Sequence, residues 1–167
     1  MLICEPLDNC LIKFYYLGKS IEEKKFMNMN ELIIKLKHVG YVVKDMDKSV
    51  SMFKKLFDLK DDDIRLMTPE DTGGAGAFAF VPVGGAELEL IQPISDYFKE
   101  MTSDMSEGIN HIAVQVKDVE KAVEEMEKKG VHLGYITKEG IFDTGKSKIA
   151  YLDPKDTDGI FIELVED

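Results

Sequence analysis

Two histidines and two glutamates recur at matched places in a chain of 167 residues that has three histidines in all. His38 stands 51 positions before Glu89, and His111 stands 52 positions before Glu163. Each His lies near the start of an apolar, β-branched run. Each Glu is flanked by aliphatic residues, Leu88 and Leu90 in one case and Ile162 and Leu164 in the other. Alternation along a strand turns each Glu away from the face that its neighbours bury. Two neutral imidazoles and two carboxylates suit a borderline divalent ion (Co, Ni, Zn or Mn), with one or two positions left for water or substrate. One such ion per chain is expected. A lone His in a strand is usually a core or edge residue, but packing does not call for His and Glu together at both matched positions. His132 has no counterpart and is expected on the surface.

These four residues belong to a duplicated unit. Leu36–Lys55 (LKHVGYVVKDMDKSVSMFKK) and Ile109–Lys128 (INHIAVQVKDVEKAVEEMEK) align at a constant offset of 73, sharing the His and a Lys-Asp pair. Glu87–Leu90 likewise faces Phe161–Leu164 at an offset of 74. The units span 36–93 and 109–166, with Ile94–Gly108 as linker. Leu36–Val43 and Ile109–Val116 read as strands. Asp47–Leu56 and Val119–Lys129 carry apolar residues at helical spacing, and Gly130 suits the stop of the second helix. Ala77–Val83, Glu87–Gln92, Lys148–Leu152 and Ile160–Val165 read as short strands between turn residues. The fold class is therefore α+β: two paired βαβββ modules form a curved mixed sheet, their sheets facing each other around a metal-binding cleft. Residues 1–30 form an extension with no partner in the repeat, and 31–167 form one domain. The extension either adds an element to the outside, through LIKFYYLG, or lies upstream of a start at Met27 or Met29.

Composition narrows the function classes. Lys plus Arg number 21 against 32 Asp plus Glu, giving a formal charge of −11 and a pI of about 4.8. An acidic chain lacks the cationic face that non-specific nucleic-acid binding needs. No apolar run approaches the ~20 residues that span a bilayer, and no secretory signal is visible near Met1. Cys4 and Cys10 are the only cysteines, so neither a disulfide framework nor a Cys-rich zinc site is expected. The expected location is the cytoplasm, with no membrane or nucleic-acid partner. Arg65 is the single arginine, so a bidentate guanidinium clamp on an anion has one candidate.

The segments KHVGYVVKDMDKSV, VPVGGAELELIQP, GINHIAVQVKDVEKAV and KIAYLDPKDTDGIFIEL resemble the motifs of the vicinal-oxygen-chelate superfamily, which includes glyoxalase I. Within it they are most similar to the methylmalonyl-CoA epimerases, from about Leu36 to Glu166. The resemblance implies paired βαβββ modules, a cupped metal site ligated by His38, Glu89, His111 and Glu163, and a homodimer. It departs at Asn110, where epimerases carry a second His, and at Asp153-Pro154-Lys155, where they often read His-Pro-Lys. One epimerase has an extra acidic base at a place that aligns with Ala77.

A divalent ion with an open face holds a carbonyl oxygen and stabilises the enolate left by loss of the adjacent proton. Return of the proton to the opposite face gives epimerisation, and return to the neighbouring carbon gives the glyoxalase reaction. Glu89 and Glu163, one on each side of a thioester substrate, suit either as bases. Lys146, Lys148 and Lys155 are the candidates for coenzyme A phosphates. The readings are a metal-dependent methylmalonyl-CoA epimerase or close acyl-CoA relative, a glyoxalase I-type lactoylglutathione lyase, and a non-catalytic ligand-binding or resistance protein. Retention of four ligands weighs against the last, and Glu89 weighs against an iron dioxygenase.

Overall fold

The repeated Lys-Asp pair starts a helix in each unit. Asp45 and Asp118, 73 positions apart, each accept a hydrogen bond from the backbone N–H three residues on, at 2.9 Å from Lys48 and 2.8 Å from Lys121. Each carboxylate thus satisfies one of the donors that a helix leaves unpaired at its first turn. The computed structural model describes residues 28–101 and 107–167. Cys4, Cys10 and LIKFYYLG lie outside the described residues.

In chain order the first unit runs β1 (Ile33–Val42), α1 (Met46–Phe57), β2 (Arg65–Met67), β3 (Gly76–Val83) and β4 (Ala86–Pro93). A short α2 (Asp96–Met101) occupies the linker. The second unit runs β5 (Gly108–Val116), α3 (Val119–Lys128), β6 (Phe142–Asp143), β7 (Lys148–Tyr151) and β8 (Phe161–Glu166). Both are βαβββ. The long elements fall where the hydrophobic periodicity puts them, and Gly130, at φ 81°, follows the end of α3 as expected. The two outermost strands, β2 and β6, are only three and two residues long. Runs that short carry no periodicity.

The eight strands of the described residues form one sheet in the order β2-β3-β4-β1-β5-β8-β7-β6. Within each unit the first and last strands pair in parallel, β1 with β4 and β5 with β8, and the remaining pairs are antiparallel. The units do not face each other as separate sheets. They join edge to edge, because β1 and β5 each keep one free edge and pair antiparallel across the centre. That pairing removes two unpaired strand edges, and it relates the units by an approximate two-fold axis.

Both long helices cover the same face of the curled sheet. Met46, Val50 and Phe53 of α1 pack on Ala79, Val81, Leu88 and Leu90. Val119, Ala122 and Val123 of α3 pack on Val116, Ala150 and Leu164. Full burial of Leu90 and Leu164 is worth roughly 1.5–3 kcal/mol each. Met29, in the segment that sequence assigned to the extension, is buried in the second cluster beside Leu32. Among the described residues no helix is long and apolar enough to cross a membrane.

Candidate metal centre

Register decides which side chains meet on the face away from the helices. Gly40 lies opposite Glu89 on β4 and opposite His111 on β5, while Ala113 lies opposite both His38 and Glu163. The four expected ligands therefore come from four adjacent strands, β4, β1, β5 and β8, and converge on one point of the concave face. His38 Nε2 and His111 Nε2 are 3.0 Å apart. Glu163 Oε2 lies 3.0 and 3.3 Å from them, and Glu89 Oε2 lies 3.3 Å from both.

The ligand atoms of His38, Glu89 and His111 lie within 4.8 Å of one another and fit a shared metal, while Glu163 Oε2 stands against the two histidines. Neighbouring ligands each about 2.0–2.2 Å from a shared ion stand ~3.0–3.5 Å apart. Glu163 Oε2, fully buried, makes no hydrogen bond despite its close neighbours. The electrostatics agree. Burial alone would lower the His111 pKa, but the carboxylates of Glu163 and Glu89 raise it to about 9. Burial would raise Glu163, yet the His111 and His38 imidazoles hold it down at about 2. Without a metal, a proton on His111 takes over part of the cation's role.

Two residues that sequence reasoning passed over hold His111 in place. Asn110 Oδ1 accepts the Nδ1–H at 2.6 Å, which leaves Nε2 to face the centre. Asn110 thus has a task at the place where the resemblance expects a second His. In the first unit its counterpart is Lys37, and His38 Nδ1 is buried without a partner among the described residues. Gly40 lies under the His111 ring, where a Cβ would come within 2.2 Å of Cε1. A glycine inside a β-branched strand is the available signal of such a close approach.

Aromatic rings stand beside both histidines. Phe80, opposite Glu89, meets His38 edge-on at 6.4 Å, and Tyr151, opposite Glu163, meets His111 edge-on at 5.6 Å. Burial, with the nearby charges of Glu163 and Glu89, drives the Tyr151 phenol well above its usual pKa, so it stays protonated.

The other candidates fall elsewhere. Lys148 reaches Glu120 of α3 at 2.5 Å, while Lys146 and Lys155 are exposed. Ala77 packs under α1, on the face away from the ligands. His132 is exposed and bonded to Asp156 at 2.8 Å, as expected of a surface residue. Glu87, two positions before Glu89 and opposite His38, is a further acid on the concave side; Glu-Leu-Glu alternation is the signal for it. A second acidic group, Asp118, Glu120 and Glu166, is already used: Asp118 caps α3, Glu166 accepts the Val119 N–H at 2.8 Å, and Glu120 pairs with Lys148.

Two outcomes follow for metal binding. Gly40→Ala must displace the His111 ring, and titration with Zn or Co should show affinity weakened about 10–100-fold, the usual cost of disturbing a ligand's support. Because the ion competes with a proton on His111, affinity should fall about tenfold per pH unit below 9 and level off above it. Calorimetry in buffers of different ionisation enthalpy should count about one proton released per ion at pH 7 and none well above pH 9. A pH-independent affinity would contradict this.

The pattern of the Glyoxalase/Bleomycin resistance protein/Dioxygenase superfamily matches residues 37–151. The chain is 24% identical over 133 residues to the mitochondrial methylmalonyl-CoA epimerase of Homo sapiens, covering 78% of this chain and 72% of that protein. It is 29% identical over 130 residues to a lactoylglutathione lyase of Arabidopsis thaliana, covering 77% of this chain but 43% of that protein. Its fold matches a variant of the Streptomyces coelicolor methylmalonyl-CoA epimerase solved with 2-nitronate-propionyl-CoA. That match has a TM-score of 0.64 and 22% identity, and covers 81% of this chain and 95% of that one. With the profile spanning both units and the curled sheet agreeing, the chain belongs to the glyoxalase/bleomycin resistance protein/dioxygenase superfamily.

Proposed function

We propose that this chain is a metal-dependent epimerase of an acyl-CoA thioester of the methylmalonyl-CoA kind, moving the α-proton from one face of the substrate carbon to the other. The observation that supports it best is the pair of carboxylates at the ligand cluster, Glu89 from one unit and Glu163 from the other, related by the approximate two-fold axis. Held by His38, His111 and these carboxylates, a divalent ion would polarise the thioester carbonyl and offset the charge left when the α-proton leaves.

The chain's own residues do the rest. Glu89, with a side chain 13% exposed, is the carboxylate more open to the concave side, and Glu163, at 5%, lies deeper. In this reading each serves as a base for one face of the substrate as well as a ligand. Phe80 and Tyr151 wall the two flanks and keep water from the reacting carbon. The lyase reading has weaker support, because the chain spans most of the human epimerase and less than half of the plant lyase. All four ligands lie in one chain, so the centre itself does not require the homodimer that the resemblance implies.

Incubation with methylmalonyl-CoA in deuterium oxide, beside a methylglyoxal–glutathione assay, tests the reading. The expected result is α-proton exchange without lyase activity. Glu163→Gln and Glu89→Gln should each lose ~10²–10⁴-fold in exchange rate while keeping much of their metal, since an amide oxygen still coordinates. Lyase activity alone would replace the reading. Full exchange in both variants would move the base elsewhere, with Glu87 next in line.

A further inference from the structure

A cavity of about 520 Å³ adjoins the metal centre on the same face of the sheet, walled by Lys35, Lys37, Arg65, Glu87, Gln115 and Asp167 among others. Register places it. Arg65 on β2 is opposite Phe80, Phe80 is opposite Glu89, and Glu87 is opposite His38. The Phe80 ring that stands edge-on to His38 also carries the Arg65 guanidinium, 3.5 Å above its centre. One ring therefore links the metal centre to the cavity.

The charges in this cavity are unevenly matched. Asp167 is taken up by Lys37 and by Gln115 Nε2, the latter at 3.0 Å. Arg65 and Lys35 make no ion pair among the described residues, although the chain carries 32 acids against 21 bases. Among the described residues the one hydrogen bond of the guanidinium goes to the Met67 sulfur at 3.7 Å. An arginine held over an aromatic ring is already oriented, and the N–H groups not turned to Met67 can meet an oxyanion.

We propose that this cavity binds an anionic group of the substrate, with Arg65 as the bidentate contact and Lys35 as a second charge. The inference rests on the reading above for its choice of anion, a phosphate of the coenzyme A portion. It gives Arg65 and Lys35 the role that sequence alone gave to Lys146, Lys148 and Lys155. A glutathione carboxylate has the same chemistry, and the experiment separates the two.

Calorimetric titration of the metal-loaded protein with free coenzyme A, and separately with glutathione, tests the site. Coenzyme A should bind the wild type, at least tenfold more weakly in Arg65→Gln, with an intermediate loss in Arg65→Lys and none in Lys148→Gln. Unchanged metal content in each variant will show that the fold is intact. A loss seen with glutathione instead would support the anion site and contradict the acyl-CoA reading. Equal affinity of wild type and Arg65→Gln for both ligands, or no binding of either by the wild type, would overturn the site. α-Proton exchange that proceeds with an unaltered KM in Arg65→Gln would remove the site and leave the epimerase reading standing.

Discussion

Two imidazole nitrogens 3.0 Å apart, with two carboxylate oxygens within 3.3 Å, are stable in a buried place only when positive charge lies among them. His38, His111 and Glu163 are all nearly inaccessible, so solvent cannot supply it. A proton on His111 meets part of the need, and a divalent ion would meet it more fully. The rest of the fold serves this convergence. The β1–β5 pairing sets the two histidines side by side, and the parallel pairs β1–β4 and β5–β8 bring one carboxylate from each flank. The helices on the opposite face bury the alternate residues of the same strands and so fix which side the ligands take.

Duplication makes the centre nearly symmetric, and the departures from symmetry are where it acquires direction. Gly40 answers to Ala113, Lys37 to Asn110, Phe80 to Tyr151 and Glu87 to Phe161. His111 is braced at Nδ1 and seated on a glycine, whereas His38 has neither support. One flank offers a phenol, and the other offers a bare ring with an arginine on its back. A substrate therefore meets two similar carboxylates in unlike surroundings. That suits a reaction in which one end of the molecule is gripped while its α-carbon is addressed from both faces.

Much of this was legible in the residues. The four expected ligands showed themselves through repetition, which a single unit would not have revealed, and the Lys-Asp pair marked both helix starts. The strands flanking each Glu were readable because their apolar neighbours alternate. Other features were not. β2 and β6 are too short for periodicity, and the edge-to-edge joining of the units depends on strand edges that no local pattern encodes. Gly40 acts through a ring that reaches it only across the β1–β5 pair, and Asn110 acts through a hydrogen bond to its own neighbour on β5. That Lys148 is held by Glu120 of α3 depends on how the helix lies over the sheet. Arg65 was marked by its rarity, yet its place beside the centre follows from β2 pairing with β3.

The meeting of both histidines at one point predicts one metal ion shared by the two units. Elemental analysis of the purified protein beside His38→Ala and His111→Ala, after loading with Zn or Co and exhaustive dialysis, tests it most directly. About one ion per wild-type chain, lost from both variants, is the predicted result. Loss from only one variant would place the ion in a single unit, and an undiminished metal content in both would show that His38 and His111 do not hold it.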